Sequence, residues 1–74
     1  MTQANTISKA KKMNIAISDA GNGCFVFTSN DTGKKGSAWL KNGEFDLVRY
    51  IYTNEESAEW CNGIKELFKR ITRA

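Results

Sequence analysis

Asn42-Gly43 lies at the centre of SAWLKNGEFDLVRYIY (Ser37–Tyr52), and the pair favours a two-residue type I′ turn because both positions need positive φ angles that Asn and Gly reach at little cost. The turn sets a register in which Lys41 faces Glu44, Leu40 faces Phe45, Trp39 faces Asp46 and Ala38 faces Leu47. Side chains alternate along a strand, so one face is expected to gather Ala38, Leu40, Phe45, Leu47 and Ile51. The other gathers Ser37, Trp39, Lys41, Val48, Tyr50 and Tyr52. Both faces are largely apolar or aromatic. Arg49 breaks the pattern, since alternation sets it among Phe45, Leu47 and Ile51. Either it reaches outward from the sheet edge, or a β-bulge near it reverses the parity and turns Tyr50 and Tyr52 inward.

A second hairpin precedes this one. MNIAIS (Met13–Ser18) alternates Ile15 and Ile17 with smaller residues, and CFVFTS (Cys24–Ser29) is rich in aromatic and β-branched residues. Pairing across a loop of roughly four residues groups Ile15, Ile17, Cys24 and Val26 on one side and Ala16, Phe25 and Phe27 on the other. Residues 1–12 are polar, lack periodicity and end in Lys9, Lys11 and Lys12, so they read as a flexible basic arm ahead of a single domain at 13–74. NDTGKKG (Asn30–Gly36) is a surface loop that presents Lys34 and Lys35.

Thr53 and Glu56 form a capping box that opens a helix. Its apolar stripe runs through Ala58, Trp60, Cys61, Ile64, Leu67, Phe68 and Ile71. Glu55, Glu56 and Glu59 come early and Lys69, Arg70 and Arg73 late, which suits the helix dipole. Gly63 within that helix costs about 1 kcal/mol relative to Ala. The expected fold class is therefore α+β: two hairpins forming a four-stranded antiparallel sheet, with one C-terminal helix packed on one face, in the order ββββα. One helix shields one face, which leaves the second face to a partner.

The residue inventory argues against catalysis. The 74 residues contain no histidine, which removes the commonest general base and zinc ligand, and a chain this short has little room for a deep cleft. Glu55, Glu56 and Glu59 are explained by the helix start, and GNG and GKKG lack phosphate-loop spacing. Cys24 and Cys61 are too few for a disulfide framework and are not spaced as metal ligands. No enzyme activity, cofactor or metal is expected. MTQANTISKAKK has no apolar signal-peptide segment and no run is long enough to span a bilayer, so a cytoplasmic protein without membrane contact is expected. The net charge of +3 is a mild bias toward anionic partners.

The strongest constellation is aromatic and basic: Trp39, Tyr50, Tyr52 and Lys41 on one face, with Lys34 and Lys35 in the adjoining loop. Rings stack on unpaired bases while lysines neutralise phosphates, the combination that lets a sheet hold nucleic acid. Glu44 and Asp46 share that face and oppose this, and strand aromatics are more often core than platform. A homodimer burying the second face is the other arrangement that satisfies the same residues.

Four strands followed by an amphipathic helix resemble the repeating unit of Whirly and Pur-type single-strand binders. YTNEESAEWCNGI (Tyr52–Ile64) is similar to the strand-to-helix passage of integrase arm-binding domains, which usually have three strands. MNIA (Met13–Ala16) with Glu55, Trp60 and Gly63 resembles a small phage type I-F anti-CRISPR protein over about a quarter of the chain. The first two resemblances agree with a non-catalytic nucleic-acid-binding module, for DNA or a single strand, in which the basic residues Lys9, Lys11 and Lys12 are expected to serve as an electrostatic tether. The third implies a phage-encoded inhibitor or adaptor that docks on a nucleic-acid-processing protein complex.

Overall fold

Two Asn-Gly pairs turn the chain. Asn22 and Gly23 have φ of 56° and 81°, and Asn42 and Gly43 have φ of 52° and 80°, as type I′ hairpin turns require. A computed structural model describes residues 2–51 and 57–73. In it the chain forms helix α1 (Gln3–Lys12), strands β1 (Ile15–Gly21), β2 (Cys24–Ser29), β3 (Lys35–Lys41), β4 (Glu44–Ile51) and β5 (Ala58–Trp60), and helix α2 (Ile64–Thr72). The strands make one antiparallel meander in the order β1-β2-β3-β4-β5.

The antiparallel sheet and C-terminal helix agree with the expected α+β class, but the order ββββα does not hold, because a fifth strand and an N-terminal helix are present. Residues 3–12, read above as part of an arm, form α1. Thr2 caps it by accepting a hydrogen bond from the Asn5 N–H at 3.2 Å, and the Gln3 N–H donates to the Gly43 carbonyl at 3.0 Å, anchoring the helix start on the β3–β4 turn. Its buried positions, Thr6 and Ala10, are small, so the stripe that packs against the sheet carries almost no hydropathy signal.

The long helix also divides. Ala58, Glu59 and Trp60 pair with Ile51, Tyr50 and Arg49 as β5, and the Cys61 N–H extends the ladder to the Val48 carbonyl at 2.9 Å. Gly63, at φ 149°, then breaks the chain in a conformation side chains rarely take, and α2 starts behind it. The Glu66 carboxylate accepts from the Asn62 N–H at that end. The capping pair Thr53 and Glu56, together with Glu55 and Tyr52, lies outside the described residues.

Both helices lie on one side of the sheet. Ala10 of α1 and Ile64, Leu67, Phe68 and Ile71 of α2 close over Ile15, Phe27, Ala38, Phe45 and Val48. Phe27 stands edge-on to both Phe45 and Phe68, at 5.4 and 5.5 Å between ring centres. Burying each such large side chain contributes about 1.5–3 kcal/mol, so this single layer supplies most of the domain's cohesion.

Two register changes decide which side chains join that core. In β1–β2 the turn is Asn22-Gly23 rather than a four-residue loop, and an irregularity between Asp19 and Gly21 brings Ile17 opposite Phe27 and Asp19 opposite Phe25. Ile15, Ile17, Phe25 and Phe27 therefore face the helices together, and Val26 faces away, which corrects the expected grouping. In β3–β4 the Asn42-Gly43 register holds through Trp39 opposite Asp46. A bulge then sets Leu47 and Val48 against Ala38, with Leu47 at φ 52°. Beyond it the parity is reversed: Val48 and Tyr50 face the helices, while Leu47, Arg49 and Ile51 do not. A left-handed Leu costs about 1–2 kcal/mol. An unpaired guanidinium buried in the core costs several kcal/mol, so the bulge is the cheaper arrangement.

Candidate binding surface

The sheet face away from the helices is built in cross-strand rows. Val26, Ser37, Arg49 and Trp60 form one row across β2 to β5, with Thr28, Lys35, Ile51 and Ala58 beside it. On the other side stand Cys24, Trp39 and Asp46, and Lys41 faces Glu44 next to the turn. Among the described residues no helix lies on this face. Trp60 keeps 65% of its surface exposed and Leu47 keeps 53%.

Arg49 ties the central row together. Its guanidinium carbon lies 5.9 Å from the centre of the Trp60 ring, a cation–π contact across the β4–β5 pair. One terminal nitrogen, Nη2, donates to Ser37 Oγ at 3.4 Å, whereas Nε is shielded from water without a hydrogen-bond partner. The face thus presents a cation and an indole side by side.

The structure brings together only part of the expected constellation. Lys35, Trp39 and Lys41 are on this face, in company with the acidic Glu44 and Asp46. Tyr50 is not: the bulge turns it toward α2, where the Arg70 guanidinium carbon lies 4.5 Å from its ring centre. Lys34 is drawn away as well, because its Nζ donates to the Arg73 carbonyl at 2.7 Å beyond the end of α2. Its backbone N–H donates to Thr32 Oγ1, and the Thr32 hydroxyl donates to the Ile71 carbonyl, so the β2–β3 loop clasps the helix C-terminus. Lys9, Lys11 and Lys12 lie on α1, on the opposite side of the sheet. Tyr52 is outside the described residues.

Comparison with protein-family models, curated proteins and solved structures finds no match. The residues of this face therefore carry the functional reading by their own chemistry.

Two of those residues, Arg49 and Trp60, escape the simple alternation pattern. Arg49 announces itself as the one charge at an inward parity, and Trp60 is absorbed into a helical stripe that continues past Gly63. Both cysteines are free thiols: Cys24 stands on this face opposite Trp39, and Cys61 sits at the core margin. Burial, reinforced by the Glu66 carboxylate, raises the pKa of the Cys61 thiol and keeps it protonated. No helix among the described residues is long and apolar enough to cross a membrane.

Proposed function

We propose that this protein is a non-catalytic binding module that holds single-stranded nucleic acid on the sheet face opposite the helices. Trp39 and Trp60 act as stacking platforms for bases, and Lys35, Lys41 and Arg49 contact phosphates. The observation that carries this reading is the exposure of Trp60, at 65%, beside the Arg49 guanidinium on a face that no helix covers among the described residues. An exposed indole offers a free face to a base, and base stacking on an aromatic ring contributes about 1–3 kcal/mol per base. Glu44 and Asp46 repel phosphates near the β3–β4 turn and bias the strand toward the Arg49 row. The expected platform of Trp39, Tyr50 and Tyr52 becomes one of Trp39 and Trp60.

The exposed Leu47, with Ile51 in the neighbouring rows, favours a second reading: a protein partner, or a second copy of this chain, docking on the same face with Trp60 as its anchor. This is the inhibitor or adaptor class. Salt separates the two. Single-strand binding through three cations weakens steeply as salt rises, whereas an apolar protein interface responds weakly. Anisotropy titrations of a labelled oligonucleotide over a salt series test the reading directly. Affinity that is absent at low salt counts against it.

A further inference from the structure

The positive charge of this chain is concentrated in its helices rather than on its sheet. α1 carries Lys9, Lys11 and Lys12, and α2 carries Lys65, Lys69 and Arg70, against the single acid Glu66. That excess is larger than the net charge of +3 for all 74 residues, so everything outside the two helices is net negative. Arg70 is committed to Glu59, at 3.0 Å, and the Glu66 carboxylate to the Asn62 N–H. Among the described residues the five helix lysines have no ion-pair partner. Three of the five converge: Lys9 of α1 and Lys65 and Lys69 of α2 line one shallow groove between the helices, together with Met13, Asn62 and the acid Glu66.

From this charge segregation we infer that the α1–α2 layer is a second, separate binding surface, which takes the sugar-phosphate backbone of a nucleic-acid duplex. The ligand follows from what the layer has and lacks. Its cations suit a polyanion whose phosphates are closely spaced on a rigid rod. Among the described residues neither helix exposes a ring on which a base can stack, since their one aromatic residue, Phe68, is fully buried, and the Tyr50 ring beneath α2 is taken by Arg70. Bases inside a duplex need no such ring, whereas a flexible single strand loses much of its affinity without one. The surface is independent of the sheet-face reading, because the two lie on opposite sides of the sheet and share no residue.

The test uses the full chain, a labelled blunt-ended duplex, a single strand of the same length, and Lys65→Gln/Lys69→Gln. Both lysines are exposed, so the variant is expected to melt like the parent. The parent binds the duplex at low salt without changing its tryptophan emission, because Trp39 and Trp60 are both on the sheet face. The variant binds it roughly tenfold or more weakly, with the slope of log affinity against log salt reduced by about 2. Duplex affinity and salt slope unchanged in the variant overturn the inference. So does duplex binding that quenches tryptophan, absence of duplex binding at low salt, or binding to anionic lipid vesicles with none to the duplex. Trp60→Ala is the converse control: it weakens the single strand and leaves the duplex untouched, so failure of the sheet-face reading shows in a different arm.

Discussion

The Arg49 guanidinium lies against the Trp60 ring, 5.9 Å from carbon to centroid, yet Trp60 remains 65% exposed. The contact orients the indole without covering it. Trp60→Ala is therefore expected to weaken single-strand binding roughly 5- to 100-fold, the equivalent of one stacked base. Thermal stability should change little, since a cation–π contact at an exposed site is worth about 0.5–1 kcal/mol. Parallel melts and anisotropy titrations check both halves.

Gly36 of β3 passes directly beneath Leu67 of α2. A Cβ at this position would overlap Leu67 Cδ1 and the Arg49 carbonyl oxygen, one of them backbone and the other on a fully buried side chain. Gly36→Ala is expected to destabilise the domain by about 1–3 kcal/mol through overpacking. Leu67→Ala should cost about 2–5 kcal/mol by leaving a cavity. Urea melts of each variant measure the two effects.

The bulge in β4 makes opposite demands on adjacent residues. Leu47 is exposed and left-handed, so Leu47→Gly is expected to be neutral or stabilising by up to about 1 kcal/mol. Val48 is only 4% exposed, and Val48→Ala should cost about 2–3 kcal/mol. Equal losses at both positions in urea melts would show that the parity does not reverse here.

Cys61 predicts a small alkaline effect. Its thiol pKa is raised in the folded protein by burial and then by Glu66. A raised folded-state value favours the protonated form, so the contribution to stability is complete below the ordinary thiol range and is lost as pH rises through the raised value. Melting temperature against pH should fall on that alkaline side, and Cys61→Ser should flatten that part of the fall.

What could be read from the residues was local, and what was hidden depended on distant pairing. Asn42-Gly43 specifies its turn and the first three cross-strand pairs because the turn geometry is chemical. Asn22-Gly23 carries the same signal, yet DAGNG offers several competing turn residues, and the shift at Asp19/Gly21 depends on which strand face meets the helices. Arg49 marks a fault in the parity, but where the bulge falls depends on which residues of β4 pack beneath the helices. Trp60 fits a helical stripe as well as a strand, and its pairing with Arg49 settles the choice. α1 buries only the small Thr6 and Ala10 at its contact, which leaves little periodicity to detect.

The two tryptophans of this chain are Trp39 and Trp60, and both stand on the sheet face opposite the helices, so intrinsic tryptophan emission reports on that face alone. Titration with a single-stranded oligonucleotide, following emission and the anisotropy of the labelled strand together, should give saturating quenching that tracks binding and weakens as salt rises. Binding without any change in tryptophan emission, or no binding at low salt, would contradict the assignment of the sheet face as the site.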